Sequence, residues 1–251
     1  MKTRYIYKST VTSTNGFASD LLSKSNPSEI LCIYTHNQTE GKGQIGRKWH
    51  AETGKNLTFS VVLSPSKFPV ELQFVLNKKI ALVIRKFVET KIHRPTTIKW
   101  PNDIYVDNKK IAGILVQNIL QGKKIKHCIV GVGMNINQKT FPKNIPNPTS
   151  FALEGYTGVN KLLSLLFELV SLIAEIDVAS LEMERTKTAE DYNEHLFGNG
   201  KTRKFICNQE TLVGKVLEVN DKGQLCLQDK KQIKAYNFGE IRWVIDDKEK
   251  I

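Results

Sequence analysis

The chain has 251 residues, of which 40% are hydrophobic and 25% charged, a globular composition that excludes disordered, collagen-like and fibrous proteins. Its formal charge of +12 calls for an anionic partner, and nucleic acid, an acidic protein or a polyphosphate ligand would each satisfy it. Four cysteines (Cys32, Cys128, Cys207, Cys226) stand far apart with no C-x-x-C pair, which argues against a disulfide framework or a cysteine zinc site and fits the cytoplasm.

Met1 to Tyr5 runs into Ser/Thr-rich sequence with no apolar stretch of signal-peptide length. Ser13-Thr14-Asn15 precedes a helical pattern (Phe17, Leu21, Leu22), with hydroxyl and amide groups where an N-cap is needed. Glu29 to Tyr34 reads as a buried strand, Gln38 to His50 as a glycine-rich basic loop, Asn56 to Leu63 as a strand and Glu71 to Lys91 as an amphipathic helix. Two strand-like runs follow, Thr97 to Val106 and Lys110 to Val116, parted by an Asp107-Asn108-Lys109 turn, and then an apolar strand, His127 to Met134.

Thr140 to Pro148 carries Pro142, Pro146 and Pro148 and is a loop. Lys161 to Leu181 is apolar enough to be a long buried helix, but Glu168, Glu175 and Asp177 exclude a membrane span. Ala189 to His195 completes the helical part. From about Lys204 the texture changes to five short strands with turn signals between them: Phe205 to Asn208, Thr211 to Val219, Gln224 to Gln228, Gln232 to Tyr236 and Glu240 to Val244. The spacing predicts two domains, 1–200 and a small antiparallel barrel at 201–251.

Four clusters carry chemistry. Gly41-Lys42-Gly43-Gln44-Ile45-Gly46 has the G-x-G-x-x-G form, but Arg47-Lys48-Trp49 leads to a strand where a dinucleotide fold needs a helix. What stays is a backbone free to approach a ligand, cations beside it, and an indole for stacking. Lys99-Trp100-Pro101-Asn102-Asp103 places a proline and two polar side chains inside a strand run, the mark of a bulge or edge facing a site. Lys109-Lys110-Ile111-Ala112-Gly113 sets a cation at the start of an apolar strand with a glycine nearby, suited to a carboxylate or phosphate. The glycines of Gly131-Val132-Gly133-Met134-Asn135 signal close packing on the backbone. Each cluster alone also fits a solvated turn or a mobile loop.

Together, in this order and spacing, these clusters with Ser13-Thr14-Asn15 and Gly54-Lys55-Asn56-Leu57 resemble the biotin protein ligases over nearly the whole chain. The resemblance implies an α+β fold, a mixed sheet flanked by helices as in class II aminoacyl-tRNA synthetases, followed by an SH3-like β-barrel. It implies a two-step reaction in which biotin and MgATP form biotinyl-5′-adenylate, whose biotinyl group passes to a lysine of a biotin carboxyl carrier protein. Ser13, Thr14, Asn15 and Gln38 would then hold the ureido ring of biotin, with Gly41, Gly43, Gln44 and Gly113 shaping its pocket. Lys42 and Lys110 would neutralise the carboxylate and α-phosphate and Asp103 would orient the reacting groups. Trp49 would stack on adenine, with Arg47, Lys99, Asn102 and Asn135 completing the nucleotide site; no residue is assigned as a metal ligand, and Asp103 would aid metal or acceptor-lysine orientation.

Two departures matter. Gln44 and Ile45 stand where relatives often carry basic residues, so the loop has less charge against the phosphate. Ser13 lies close to Met1, so the expectation is a monofunctional ligase without a DNA-binding domain, specific for no DNA and no membrane; a homodimer remains compatible with it. The rival enzyme is a lipoate ligase, which shares the fold and the adenylation chemistry. The rival from another class, a nucleic-acid-binding protein, is suggested by charge alone.

Overall fold

The computed structural model describes residues 2–44, 46–65, 68–158, 161–230 and 232–245. A seven-stranded mixed sheet is built from β1 (Thr3–Val11), β2 (Ile30–Gln38), β3 (Leu57–Leu63), β4 (Thr96–Lys99), β5 (Asp103–Val106), β6 (Lys109–Gln121) and β7 (Lys124–Met134), in the order β1-β2-β3-β7-β6-β5-β4. β1 pairs parallel with β2 and every other neighbouring pair is antiparallel. Alternation along the strands sorts the two faces. Leu31, Ile33, Val62 and Ile129 point to one side, where α1 (Thr14–Lys24) covers them with Ala18 and Leu22. Cys32, Phe59, Val61 and Val130 point to the other, under α2 (Gln73–Ile92) and α3 (Leu162–Ala174).

After α4 (Arg185–Glu194), a second, antiparallel sheet is formed by β8 (Thr202–Cys207), β9 (Glu210–Val219), β10 (Leu225–Asp229), β11 (Gln232–Tyr236) and β12 (Ile241–Val244), in the order β11-β10-β9-β8-β12. It is fastened to the first. Its Phe205, Val216, Leu225 and Leu227 belong to the same apolar cluster as α2 and α3. The Trp100 Nε1–H donates to the Gly223 carbonyl at 2.9 Å, the Trp243 Nε1–H to the Trp100 carbonyl at 3.2 Å, and the buried Lys78 ammonium to the Val219 carbonyl at 2.7 Å. Among the described residues no helix is long and apolar enough to cross a membrane.

Four local expectations are corrected. β1 is a strand that its polar, mostly exposed residues (Lys8, Ser9, Thr10) conceal; its backbone pairing with β2 holds it at the sheet edge. The helix from Lys161 stops at Ala174 rather than Leu181, because the segment beyond it, with Asp177 accepting from the Ala179 N–H, breaks into turns. The run Thr97 to Val106 is two antiparallel strands, Ile98 facing Ile104, with Trp100 to Asn102 as the connection. The hairpin of β6 and β7 also extends to Gln121 and Lys124, past the expected ends.

Candidate active site

Around one cavity of about 580 Å³ the fold gathers residues from both ends of the sequence. Its floor is the sheet at β6 and β7, and one wall is the amino terminus of α1. The basic loop from Lys42 to His50 and the proline-rich loop after Asn137 supply the facing side, and Phe238 also lines it. Of the residues singled out from sequence, Ser13, Thr14, Asn15, Gln38, Lys42, Gly43, Gln44, Arg47, Trp49, Lys99, Asn102, Asp103, Lys110, Gly113 and Asn135 all line it. Gly41 does not: it is buried behind the wall, where a Cβ would come 2.5 Å from the Trp49 carbonyl. Its own carbonyl accepts from the Trp49 N–H at 2.8 Å, so it closes the loop. Ile45 lies outside the described residues.

The strand glycines act as the sequence suggests. The Trp49 indole lies on Gly133, where a Cβ would fall 2.2 Å from Cε2, and reaches Gly113. Asn15 occupies the space over Gly131 in the same way, 2.2 Å from a Cβ there. Trp49 Nε1 and Asn135 Oδ1 are both buried without a hydrogen-bond partner among the described residues, while the Asn135 Nδ2–H donates to the Thr149 carbonyl at 2.9 Å. A buried donor and a buried acceptor left open in the lining of one cavity cost about 1–3 kcal/mol each unless a ligand meets them.

The cations are arranged around a single carboxylate. Asp103, buried, pairs with the Lys110 ammonium at 2.7 Å, and Lys110 Nζ also sits 5.4 Å from the centre of the Trp49 ring. Lys99 lies between the Tyr105 ring at 5.3 Å and the Trp243 ring at 5.9 Å. Burial pulls Lys99 down to about 8, Asp103 opposing and Lys110 and Arg47 reinforcing the shift. Burial likewise pushes the Tyr105 phenol above its ordinary value. The Asn102 Nδ2–H donates to the Ile114 carbonyl at 2.7 Å, tying the turn to β6.

At the α1 end the polar groups have a defined direction. Gln38 Oε1 accepts from the Thr14 backbone N–H at 2.7 Å, so the Gln38 Nε2 donors face away from Thr14. Ser13 caps α1 by accepting from the Gly16 N–H. Missed from the sequence were Tyr105, Phe141, Asn144, Ile145 and Phe238 of the lining, and Ser60 and Gln117 just behind it. The proline-rich loop announced only irregularity. Its attachment, with the Lys110 N–H donating to the Asn147 carbonyl at 2.7 Å and the Thr149 N–H to the Lys110 carbonyl at 2.8 Å, comes from the fold.

Residues 6–135 match the biotin/lipoate A/B protein ligase family, a stretch that holds α1, the basic loop, Lys99 to Asp103, Lys110 and the strand glycines. The chain belongs to that family. Two curated relatives are each 28% identical: the bifunctional ligase/repressor BirA of Bacillus subtilis, over 94% of this chain and 73% of its own, and the biotin--[acetyl-CoA-carboxylase] ligase of Mycobacterium tuberculosis, over 92% and 86%. The fold is also that of the Aquifex aeolicus biotin protein ligase solved with biotin and ATP. That structure has a TM-score of 0.76 and 24% identity, with 96% of this chain and 99% of the other covered. In this α+β architecture the strand glycines leave room for Trp49 and Asn15 to lie against the sheet, and both side chains line the cavity.

Proposed function

We infer that this chain is an ATP-dependent biotin protein ligase that activates biotin as biotinyl-5′-adenylate and transfers it to a lysine of a biotin carboxyl carrier protein. The single observation that carries the choice of biotin is the polarity of the Thr14–Gln38 pair. Gln38 turns N–H donors away from Thr14, and Thr14 has a hydroxyl at the same wall, a pair suited to a C=O flanked by N–H groups. A ureido ring supplies both. The dithiolane ring of lipoate supplies neither and would leave these groups unpaired, which sets the rival reading aside.

In the first half-reaction a biotin carboxylate oxygen attacks the α-phosphorus of ATP and pyrophosphate leaves. Lys110, held by Asp103, and Lys42 neutralise the two anions that must meet, while Trp49 stacks on adenine and Asn135 Oδ1 accepts from its amino group. Asp103 is the single carboxylate among the described residues lining the cavity, and no group of three metal-ligating side chains occurs among the described residues. Mg²⁺ would enter with the nucleotide and neutralise its phosphates, with Asp103 as the lining carboxylate that would orient it. In the second half-reaction the acceptor amine attacks the anhydride carbonyl, the bond to the phosphate oxygen breaks, AMP leaves and the amine gives up a proton. Residues 1–200 serve as the catalytic unit and 201–251 as an SH3-like unit that contributes Phe238 to the cavity lining.

Incubation with biotin, MgATP and a carboxyl-carrier domain should add one biotinyl group to that domain by mass spectrometry. Labelling with lipoate instead, or none with biotin, would refute the assignment. Lys99 gives this site a pH signature. Its charge is present below about 8 and lost above, so the KM for ATP should rise as the pH climbs past 8, and Lys99→Arg should flatten that rise. An identical profile in the variant would remove Lys99 from phosphate binding. The sign for stability is opposite: the folded chain holds this proton less tightly than the unfolded one. The partly buried charge therefore costs stability below about 8, and the cost fades as the pH rises toward the ordinary lysine value.

A further inference from the structure

We propose that Ser60, Asn15 and Gln117 form a relay behind the ligand wall that fixes which way the Thr14 hydroxyl points, and so makes Thr14 an obligate acceptor toward the ligand. The proposal rests on the ureido reading of the Thr14–Gln38 pair.

Asn15 is the fixed point. Its amide lies 3.2 Å from the Leu115 carbonyl and 2.8 Å from Gln117 Oε1. A carbonyl can only accept, so the Asn15 nitrogen must face these two groups and Oδ1 must face the other way. On that side the Ser60 hydroxyl stands 2.6 Å from Asn15 Oδ1, and Ser60 is fully buried. Ser60 has one proton, and Asn15 Oδ1, pressed over Gly131, has no other hydrogen-bond donor among the described residues. The Ser60 proton therefore goes to Asn15.

Ser60 Oγ is also 2.8 Å from Thr14 Oγ1. With the Ser60 proton committed to Asn15, this short contact is a hydrogen bond when Thr14 donates its proton to Ser60 Oγ. Gln38 Oε1, 3.1 Å from Thr14 Oγ1, is the other acceptor within reach. In both arrangements the Thr14 proton is turned inward, so Thr14 offers the cavity lone pairs only. A ligand N–H is welcomed there and a ligand oxygen is repelled. The main-chain carbonyl of Leu115, three hydrogen bonds away, thus sets the chemistry read by Thr14.

The discriminating ligand is the cyclic carbonate analogue of biotin, which has ring oxygens where biotin has N–H groups and is otherwise nearly isosteric. Wild-type enzyme should bind biotin far better than this analogue in calorimetry. In Ser60→Ala the Thr14 proton loses its shorter partner and is shared between Gln38 Oε1, at 3.1 Å, and the ligand. Biotin affinity should fall about tenfold and the ratio of biotin to analogue affinity should narrow by at least about tenfold, with kcat at saturating biotin changed by less than about twofold. Because Ser60 is in the core, an independent test uses the exposed Gln117: Gln117→Leu should narrow the ratio about threefold, and Gln117→Glu, which keeps the acceptor, should restore it. If both ligands weaken equally in Ser60→Ala and the Gln117 variants leave the ratio unmoved, the residues only support the structure and the relay is overturned. Absence of biotin binding by the wild type would instead sink the ligase reading itself, and the relay with it.

Discussion

Lys110→Ala should lower biotin-dependent pyrophosphate release by at least about a hundredfold, because a charge-assisted contact made in a desolvated site contributes about 3 kcal/mol to the transition state. The structure sharpens the reason. Lys110 is held by Asp103 at 2.7 Å and roofed by the Trp49 ring, so its ammonium is positioned before the substrates arrive. The same substitution leaves a buried carboxylate without its cation, which repels the carboxylate and the phosphates that the site must gather. A thermal unfolding curve separates this from lost folding, since the chain retains its two apolar clusters on either side of the sheet. Pyrophosphate release near the wild-type rate would take Lys110 out of the mechanism.

The second large effect is expected from a single methyl group. In Gly133→Ala the new Cβ would fall 2.2 Å from Trp49 Cε2 and 2.6 Å from Nε1, a separation at which the indole must leave its seat. The neighbouring chain cannot yield instead, because Gly133 is paired on both sides, to Thr58 of β3 and Gly113 of β6. The KM for ATP should rise at least about tenfold while biotin binding without nucleotide stays within about threefold, since displacing a stacking aromatic costs about 1–3 kcal/mol. Trp49 fluorescence should change even in the free protein. An unaltered KM would show that adenine does not use this indole.

These effects depend on contacts of very different sequence range, and that range marks what was legible. The strand at Asn56 to Leu63, the helix near Glu71 to Lys91 and the five short strands after residue 200 follow from local periodicity and turn residues, because burial on one or two faces imposes a repeat of two or 3.6. β1 escaped the same reading: at a sheet edge its stability comes from backbone pairing with β2, which leaves no apolar pattern on its side chains.

The chemistry-bearing residues were readable as types. A glycine-rich loop with cations, a lysine opening an apolar strand and glycines inside β7 each state a local property, flexible or closely approached backbone beside charge. What the sequence by itself determined was therefore the α+β class, the change of texture near residue 200 and the identities of most residues on the cavity wall. What only the tertiary structure decided was their mutual arrangement. It set Trp49 on Gly133, Asp103 against Lys110, and the proline-rich loop and Phe238 in the lining of the site. It alone revealed Ser60 and Gln117, a core serine and a surface glutamine with no local signature. Their role lies in the direction of hydrogen bonds between residues 45 and 102 positions apart, and such direction is set by which carbonyl the folded chain brings alongside, not by any neighbour in sequence.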